Sequence, residues 1–279
     1  MTATIPQPQI SNEKAKPALK WGLIGWVSLL HLGALLAFFP SFFNWSAVGL
    51  AVFLHGLTCG VGVEIGWHRM ASHRSFECRK WVERFFILCG TLSGMATPLA
   101  WVGLHRLHHA RSDKDGDPHN AAKGFVWSHV RWMIYKDRES WSKIPELTKD
   151  WQDDPFVQFC DRHYVAIQLT FAAILFAIGG LPWVIWGMFV RTVLVWHTIW
   201  FVNSGAHKFG YRNFETDDRS TNVWWLLLPT YGGCWHNNHH AFPQSARCGL
   251  KWWEIDLSWG LISTLHKVGL VTKVRLPNI

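Results

Sequence analysis

The chain has 279 residues, of which 49% are hydrophobic and only 16% are charged, whereas an ordinary soluble domain carries about 25% charged residues. Its 20 tryptophans are typical of proteins whose aromatic rings lie at a membrane–water interface. The net charge of +8 does not indicate nucleic-acid binding, because the basic residues flank apolar segments and do not alternate with aromatic residues on one face. Composition therefore predicts an integral membrane protein with no nucleic-acid partner.

Four apolar segments have about the ~20 residues that a helix needs to cross a hydrocarbon core. They cover about residues 21–39, 45–62, 164–178 and 182–202. The backbone must satisfy its own hydrogen bonds in lipid, so these segments are predicted to be helices. Pro40 ends the first segment, and a Gly-Gly-Leu-Pro sequence at 179–182 separates the last two, which predicts two helical hairpins.

A fifth apolar segment, residues 85–102, contains Gly90, Gly94 and Pro98. It lies between two histidine clusters, which would face opposite sides of the membrane if this segment crossed it once. We therefore predict that it is buried against the protein or lies in the interface.

The distribution of basic residues predicts the orientation in the membrane. Lysine and arginine are concentrated in the N-terminal segment and in residues 68–163 and 203–279, whereas the two hairpin tips, near Ser41 and Gly180, carry no charge. The positive-inside rule then places both termini and the basic segments in the cytoplasm. Residues 1–20 are polar, contain three prolines and are expected to be disordered, while residues 21–279 are expected to form one domain.

Three histidine clusters lie in the segments assigned to the cytoplasmic side. They are His68 and His73; His105, His108 and His109; and His236, His239 and His240. The last two clusters have the spacing H-x-x-H-H, which on a helix brings three imidazoles to one face, where they can converge on one region. The five-residue spacing of the first cluster suits one helical face poorly. It predicts a helix end there, with the two rings reaching separate points.

Eight imidazoles exceed the four ligands that a single tetrahedral zinc takes, so the pattern predicts at least two metal ions. Neutral imidazole suits zinc, copper, iron and nickel. A pair of irons beside a lipid-facing cavity indicates dioxygen chemistry, because acid–base side chains cannot break an unactivated C–H bond and a metal cofactor can. The alternative, a set of unrelated surface histidines, does not account for two H-x-x-H-H motifs in one chain.

From about residue 60 to the C-terminus the chain resembles the membrane fatty acid desaturases, in particular the stearoyl-CoA desaturase and cyanobacterial acyl-lipid Δ9 desaturase branch. The resemblance rests on the histidine clusters and on HRMASHRSF from His68, DGDPHNAAKGFVWSHVRW from Asp115, WFVNSGAHKFGYR from Trp200 and HNNHHAFPQSA from His236. It implies an all-α integral membrane fold of four transmembrane helices. A cytosolic helical cap, residues 68–163 and 203–279, would hold a histidine-ligated di-iron site. It also implies that His207 is a ninth ligand and that Asn203 approaches the metal through water.

The same resemblance implies an O2-dependent enzyme that introduces a cis double bond, expected at Δ9, into a saturated acyl chain. The chain would be carried by a glycerolipid or by CoA, and Gly103 and Leu104 favour a glycerolipid because animal acyl-CoA enzymes have an Arg-Asp pair there. The sequence shows no haem segment of the cytochrome b5 type, so a separate ferredoxin or cytochrome b5-type electron donor is expected. The expected location is a bacterial inner or thylakoid membrane, with the active site on the cytoplasmic side.

The segment before the third histidine cluster departs from the family pattern. The family usually has Gly-Glu-Gly there, whereas this chain has Gly232, Gly233 and Cys234. A carboxylate commonly orients a ligating imidazole, so this support is absent or comes from elsewhere. Two other functions stay open. One is a histidine-box lipid hydroxylase or carotenoid ketolase. The other is a membrane metal transporter or metal-binding protein, although such a protein would normally place its ligands within the spans.

Several further polar residues are expected to support the structure. Histidines inside the predicted spans should bond to neighbouring helices; these are His31, His55 and His197. His119 and His129 are expected to pack near the site. Asp117 and Asn120 are expected to cap or bridge, and Glu64, Asp115 and Asp117 are candidates for orienting histidines. Cys234 is expected to be a packed thiol and not a ligand.

Overall fold

The computed structural model describes residues 18–279. Within that range the secondary-structure elements are all helical apart from a small antiparallel pair of strands, β1 (Glu77–Cys78) and β2 (Val271–Thr272), in which Glu77 pairs with Thr272. Turns and irregular segments connect them. Residues 1–17, most of the predicted polar N-terminal segment, lie outside the described part. Residues 18–20, the end of that segment, pair with residues 134–136: Lys20 N–H donates to the Ile134 carbonyl, and Lys136 N–H donates to the Ala18 carbonyl.

Fourteen α-helices are described in residues 18–279. They are α1 (Trp21–Leu35), α2 (Trp45–His55), α3 (Lys80–Thr91), α4 (Pro98–Arg111), α5 (Phe125–His129), α6 (Arg138–Ser142), α7 (Ile144–Leu147), α8 (Lys149–Gln152), α9 (Pro155–Arg162), α10 (Tyr164–Val184), α11 (Arg191–Gly205), α12 (Leu227–Thr230), α13 (His236–Ala241) and α14 (Leu257–Lys267). Short 3-10 turns cover Leu36–Phe38, Pro40–Phe42, Ala121–Lys123, Arg131–Ile134 and Trp224–Leu226. Two segments are π-helical, Gly56–Ser72 and Ile185–Val190.

Three helical runs are long and apolar enough to cross a membrane: Trp21–Phe38, Trp45–Ser72 and Tyr164–Gly205. Many of their large apolar side chains face outward; Phe38 is 84% exposed and Trp45 is 78% exposed. Exposed apolar surface on this scale is expected where lipid surrounds a protein and not where water does.

The third run reverses direction near its middle. Straight, its 42 residues would form a helix ~63 Å long. Gly180, however, has φ 65° and ψ −161°, a conformation that is essentially restricted to glycine. The guanidinium of Arg191 lies 5.6 Å from the ring centroid of Phe171, although these residues would be ~30 Å apart in a straight helix. The two halves of the run therefore lie side by side, as the Gly-Gly-Leu-Pro sequence predicted.

The second run extends past the predicted span 45–62 and ends at Ser72. Its π-helical part packs closely on α3, and glycine allows this approach. A Cβ on Gly62 would lie 2.3 Å from the carbonyl carbon of Cys89, and one on Gly66 would lie 2.9 Å from Cβ of Phe86. No side chain fits at either point, so α3 is fixed against the second run.

The fifth apolar segment forms parts of α3 and α4, and neither helix is among the candidate membrane spans. Phe86, Ile87 and Cys89 of α3 are buried, which confirms the expected burial against the protein. Pro98 begins α4 at a position where its missing N–H costs nothing. The resulting bend brings α4, which carries the second histidine motif, beside the end of the second run.

Candidate metal centre

The nine histidines predicted as ligands come together in two groups. His68, His73, His105, His109 and His239 form one group, named here the five-histidine cluster. His108, His207, His236 and His240 form the other, the four-histidine cluster. Within each group one nitrogen of every ring lies within 4.8 Å of the others, although the residues come from the second run, α4, α13 and the segment after α11.

Each H-x-x-H-H motif is divided between the two clusters. Helix α4 contributes His105 and His109 to the five-histidine cluster and His108 to the four-histidine cluster. Helix α13 does the reverse, with His239 alone joining the five-histidine cluster. Residues i and i+4 differ by only ~40° around a helix, whereas i+3 and i+4 differ by ~100°. The prediction that three rings of one motif converge on one region was therefore wrong, because each motif bridges two neighbouring regions.

His68 and His73 also differ from their prediction. The helix does end at Ser72, but the two rings join the same cluster, with centroids 5.0 Å apart. The reason is the local hydrogen bonding. His73 N–H donates to the carbonyl of His68, a π-type bond that places residues five apart on neighbouring turns. An α-helix would have separated these two rings.

The ligand nitrogens are spaced as metal ligands would be. Pairs of Nε2 atoms lie 2.8 Å apart for His73 and His105, 2.9 Å for His68 and His239, and 3.0 Å for His207 and His236. Two nitrogens at right angles around a metal, each ~2.1 Å from it, would be ~3.0 Å apart. In residues 18–279 the Nε2 atoms of His108 and His240 are buried without a hydrogen-bond partner. Both belong to the four-histidine cluster, where one metal ion would satisfy them. The close Nε2 pairs of the five-histidine cluster suit a second ion, so the residues fit a pair of ions.

Burial favours the neutral imidazole at most of these positions. Burial is the largest cause that holds the pKa of five histidines well below the ordinary value, and repulsion between neighbouring imidazoles lowers it further. The five are His73, His105, His109, His236 and His239. Burial also lowers the pKa of His240 to about 4. A histidine must be neutral to bind a metal, so burial favours the form of these rings that could bind one.

Four carboxylates accept hydrogen bonds from Nδ1 of ligand histidines. The pairs are Glu64 with His68 at 3.2 Å, Asp117 with His108 at 3.0 Å, Asp113 with His207 at 2.8 Å and Asp218 with His240 at 2.6 Å. Such partners fix the tautomer and the ring orientation of a metal ligand. Three of them serve the four-histidine cluster, and within residues 18–279 Glu64 is the one carboxylate found on the five-histidine cluster.

These contacts perturb both partners. Burial opposes protonation of His108, but the Asp117 carboxylate raises the pKa of this histidine overall. Burial alone would raise the pKa of Asp117, yet the His108 and His119 rings hold it below the ordinary value. Glu64 and Asp117 were predicted to orient histidines. Asp113 and Asp218 were missed: Asp218 is 22 residues from His240 in sequence and meets it only through the tertiary fold.

The histidines predicted to be structural do bond to neighbours. His31 and His197 join through their Nε2 atoms at 3.0 Å, and Nδ1 of His55 lies 2.8 Å from the Tyr231 hydroxyl. His129 lies 3.0 Å from both His197 and the Ser204 hydroxyl. Cys234 is buried among apolar side chains that include Trp235, as expected for a packed thiol.

An apolar cavity leads to the five-histidine cluster. Near the metal centre, a narrow space of about 60 Å³ is lined by residues that include Trp101, His105, His119 and Asn203. Asn203 thus faces the cavity. A wider space of about 260 Å³ adjoins it, and the two share five lining residues: Met95, Ala96, Leu104, Trp132 and Met133. We name the two spaces together the apolar channel.

The fold and the site define a helical protein with membrane-length apolar runs and two histidine clusters suited to metal ions. A family model for fatty acid desaturases matches residues 43–267, and the chain belongs to this family. It is 50% identical to the sn-1 stearoyl-lipid 9-desaturase of Synechocystis sp., over 99% of this chain and 86% of the relative. It is 48% identical to the sn-1 stearoyl-lipid 9-desaturase of Anabaena variabilis, over 94% and 96% of the two chains.

A third relative is the sn-2 palmitoyl-lipid 9-desaturase of Nostoc sp., which is 45% identical over 92% of this chain and 91% of the relative. Family membership confirms the predicted resemblance and the enzyme class, an oxidoreductase that desaturates acyl chains. The metal transporter alternative does not hold.

Proposed function

We propose that this protein is an acyl-lipid 9-desaturase, which introduces a cis double bond at carbon 9 of a saturated acyl chain esterified in a membrane glycerolipid. The observation that carries the proposal is the apolar channel, which ends beside His105 of the five-histidine cluster. The curated relatives, named as stearoyl-lipid and palmitoyl-lipid 9-desaturases, support the bond position and the lipid carrier.

The net reaction removes two hydrogen atoms from adjacent methylene carbons. With O2, two electrons and two protons it yields the double bond and two waters. The electrons would come from a separate ferredoxin or cytochrome b5-type protein. The basic surface expected on the cytoplasmic side suits the docking of an acidic carrier.

The metal proposed is a pair of iron ions, one in each histidine cluster. When bound, they would supply the dioxygen and electron-transfer chemistry that C–H removal needs. The nine histidines would hold the irons, and Asn203 would approach one of them through water. The carboxylates on Nδ1 hold the rings in place, and the buried walls exclude bulk water from the reacting carbons.

The channel residues would determine which carbons reach the metal centre. The Trp101 ring stacks on the His105 ring, with centroids 4.9 Å apart, and both face the narrow part of the channel. An acyl segment held there would be packed on apolar and aromatic side chains and aligned next to the five-histidine cluster. Positioning of this kind is a large part of an enzyme's contribution to rate.

The proposed membrane arrangement has four transmembrane helices in two hairpins. The fold-back at Gly180 supports two spans within the third run, and the uncharged tips near Ser41 and Gly180 suit the side opposite the basic segments. Both termini and the metal centre would then be cytoplasmic, in a bacterial inner or thylakoid membrane. The cap would consist of residues 68–163 and 203–279, and residues 21–279 would act as one domain.

The test uses the purified iron-loaded protein in lipid nanodiscs with ferredoxin, ferredoxin reductase and NADPH. Stearoyl chains are offered separately on a galactolipid and on CoA, and the products are analysed by mass spectrometry after derivatisation of the double bond. The proposal predicts a 9-monoene on the lipid, with much less product on CoA. A hydroxylated chain would support the hydroxylase alternative, and product on CoA alone would contradict the lipid carrier.

A further inference from the structure

Glu64 is a buried carboxylate inside the second apolar run, only 6% exposed. Its two oxygens have separate partners. Oε1 accepts hydrogen bonds from Nε and Nη2 of Arg69 at 3.1 and 2.9 Å, and Oε2 accepts one from Nδ1 of His68 at 3.2 Å. An ionisable residue within a membrane-length helix is by default a functional candidate. The Arg69 contact accounts for one oxygen of Glu64, and the His68 contact connects the other to the five-histidine cluster.

Gly233 leaves the space that the Glu64 carboxylate occupies. A Cβ on Gly233 would lie 2.8 Å from Oε2 of Glu64, which is closer than real Cβ contacts come. Gly233 is not among the residues with a positive φ, whereas its neighbour Gly232 has φ 110°. The backbone conformation at Gly233 therefore does not require glycine. A side chain at this position would instead collide with the Glu64 carboxylate where it now lies.

We propose that Glu64 is a positioning residue for the five-histidine cluster: it delivers, from the second apolar run, the carboxylate that the family pattern places at position 233. This inference rests on the proposed di-iron function. It explains how a chain with glycine at this position still has a carboxylate on the five-histidine cluster, and it predicts that the carboxylate can be moved from one position to the other.

The hydrogen bond from His68 would determine which nitrogen binds the metal. A proton on Nδ1 that is donated to Glu64 leaves the lone pair on Nε2, and this Nε2 lies 2.9 Å from Nε2 of His239. Within residues 18–279 this cluster has Glu64 as its carboxylate partner, whereas the four-histidine cluster has three. Loss of Glu64 should therefore weaken one metal site and leave the other unchanged.

The geometry allows the carboxylate to be exchanged between the two positions. The Cβ point of residue 233 is 2.8 Å from Oε2 of Glu64, and that oxygen is 3.2 Å from Nδ1 of His68. A glutamate side chain extends ~3.5 Å beyond its Cβ, and a hydrogen bond adds ~3 Å. A glutamate at position 233 can therefore reach His68 once the Glu64 side chain is removed.

The experiment titrates the metal-free protein in nanodiscs with Co²⁺, followed by visible absorption. Wild type should bind two ions. Glu64→Ala should weaken one site by about 10–100-fold, the usual effect of removing a carboxylate partner. The double variant Glu64→Ala/Gly233→Glu should return that site to within about threefold of wild type. Asp218→Asn, which removes the partner of His240, should weaken the other site instead.

A second measurement separates positioning from stability, because Glu64 also pairs with buried Arg69. Asp256 is the other carboxylate on Arg69, at 3.0 Å, and it does not support a ligand histidine. Asp256→Asn should lower the unfolding temperature and leave both Co²⁺ affinities unchanged. Where Glu64→Ala does not fold, Glu64→Gln keeps the side-chain size and should show the same selective weakening.

Two results would overturn the inference. One is a folded Glu64→Ala or Glu64→Gln protein that binds both Co²⁺ ions as wild type does. The other is a double variant that unfolds at the wild-type temperature without recovering the weakened site. Wild-type protein that binds no Co²⁺ would refute the proposed metal centre itself, so the two failures are distinguishable.

Discussion

Replacing Ala96 with phenylalanine is expected to close the apolar channel without disturbing the metal centre. Ala96 lines both the narrow space of about 60 Å³ and the wider space of about 260 Å³. A phenyl ring occupies roughly 100 Å³ at protein packing density, so it would fill the narrow space. An acyl chain could then enter only if the ring were displaced. Forcing extra volume into a packed site costs about 1–3 kcal/mol, which corresponds to about a 5–150-fold loss of rate.

The assay compares desaturation of stearoyl lipid by wild type, Ala96→Phe and the matched control Ala122→Phe. Ala122 lies on an exposed turn, so the control makes the same chemical change away from the channel. Metal content and unfolding temperature are measured on every sample. We expect Ala96→Phe to retain two metal ions and to lose at least about fivefold in rate. A folded, metal-loaded Ala96→Phe protein with the wild-type rate would refute the assignment of this channel to the acyl chain.

Three further predictions concern packing, pH and metal. Gly62→Ala should lower the free energy of unfolding by about 1–3 kcal/mol or prevent folding, because its Cβ would lie 2.3 Å from the backbone of α3; Gly49→Ala, with open space around it, should be near neutral by the same thermal unfolding assay. Asp150 accepts hydrogen bonds from Arg74 and Arg106. Burial opposes ionisation of Asp150, but the two arginines lower its pKa overall. The contribution of ionised Asp150 to the free energy of unfolding is therefore complete above the unfolded pKa of ~3.9. It is lost as pH falls through the lower pKa of the folded state. Asp150→Asn should lower the free energy of unfolding by about 1 kcal/mol near pH 7, because the side chain is 37% exposed and its charge is screened. The difference from wild type should vanish in acid. A difference that does not change with pH would contradict this prediction. Removing metal with a chelator should lower the unfolding temperature, and added Fe²⁺ should restore it. Binding to the folded state raises the free energy of unfolding by about 2.7 kcal/mol when free Fe²⁺ is 100 times Kd. An unfolding temperature that does not change would argue against structural metal binding.

The four apolar segments predicted from the sequence fall within three helical runs that are long and apolar enough to cross a membrane. Their helical form was predictable because an unpaired backbone in lipid is costly. The apolar lengths and the Gly-Gly-Leu-Pro sequence predicted the fold-back at Gly180. They did not predict that the second run continues to Ser72, because this part of the helix is stabilised by packing on α3. Its glycines at 62 and 66 have a role only in relation to a neighbouring helix.

The histidines that lie close together were predicted, His207 only through the family resemblance, but their division between two clusters was not. Helical spacing predicted that the histidines of each H-x-x-H-H motif lie close together. Which ring joins which cluster depends on how α4 and α13 face each other, a tertiary property. The π-type turn that brings His73 beside His68 likewise has no sequence signal in the ordinary helical periodicity.

The carboxylate partners of the histidines were also only partly predictable from the sequence. Asp117 was predictable because it follows the second motif within one short loop. Glu64 was predictable as well, because it lies one helical turn before His68. Asp113 and Asp218 contact His207 and His240 only because the folded chain brings distant segments together. From the sequence, glycine at position 233 suggested that a carboxylate partner of a histidine was missing. The structure shows the Glu64 carboxylate beside Gly233, in the space that a side chain there would occupy.

The most direct test of the central claim is the fatty acid profile of a bacterial host that lacks this activity, expressing the chain with a ferredoxin system. A His108→Ala variant is expressed beside it, because His108 belongs to the four-histidine cluster and its loss should remove a ligand and not the fold. The account predicts a new 9-monoene with wild type and none with His108→Ala at equal protein level. No new product from folded, iron-containing wild type, or an unchanged product with His108→Ala, would contradict it.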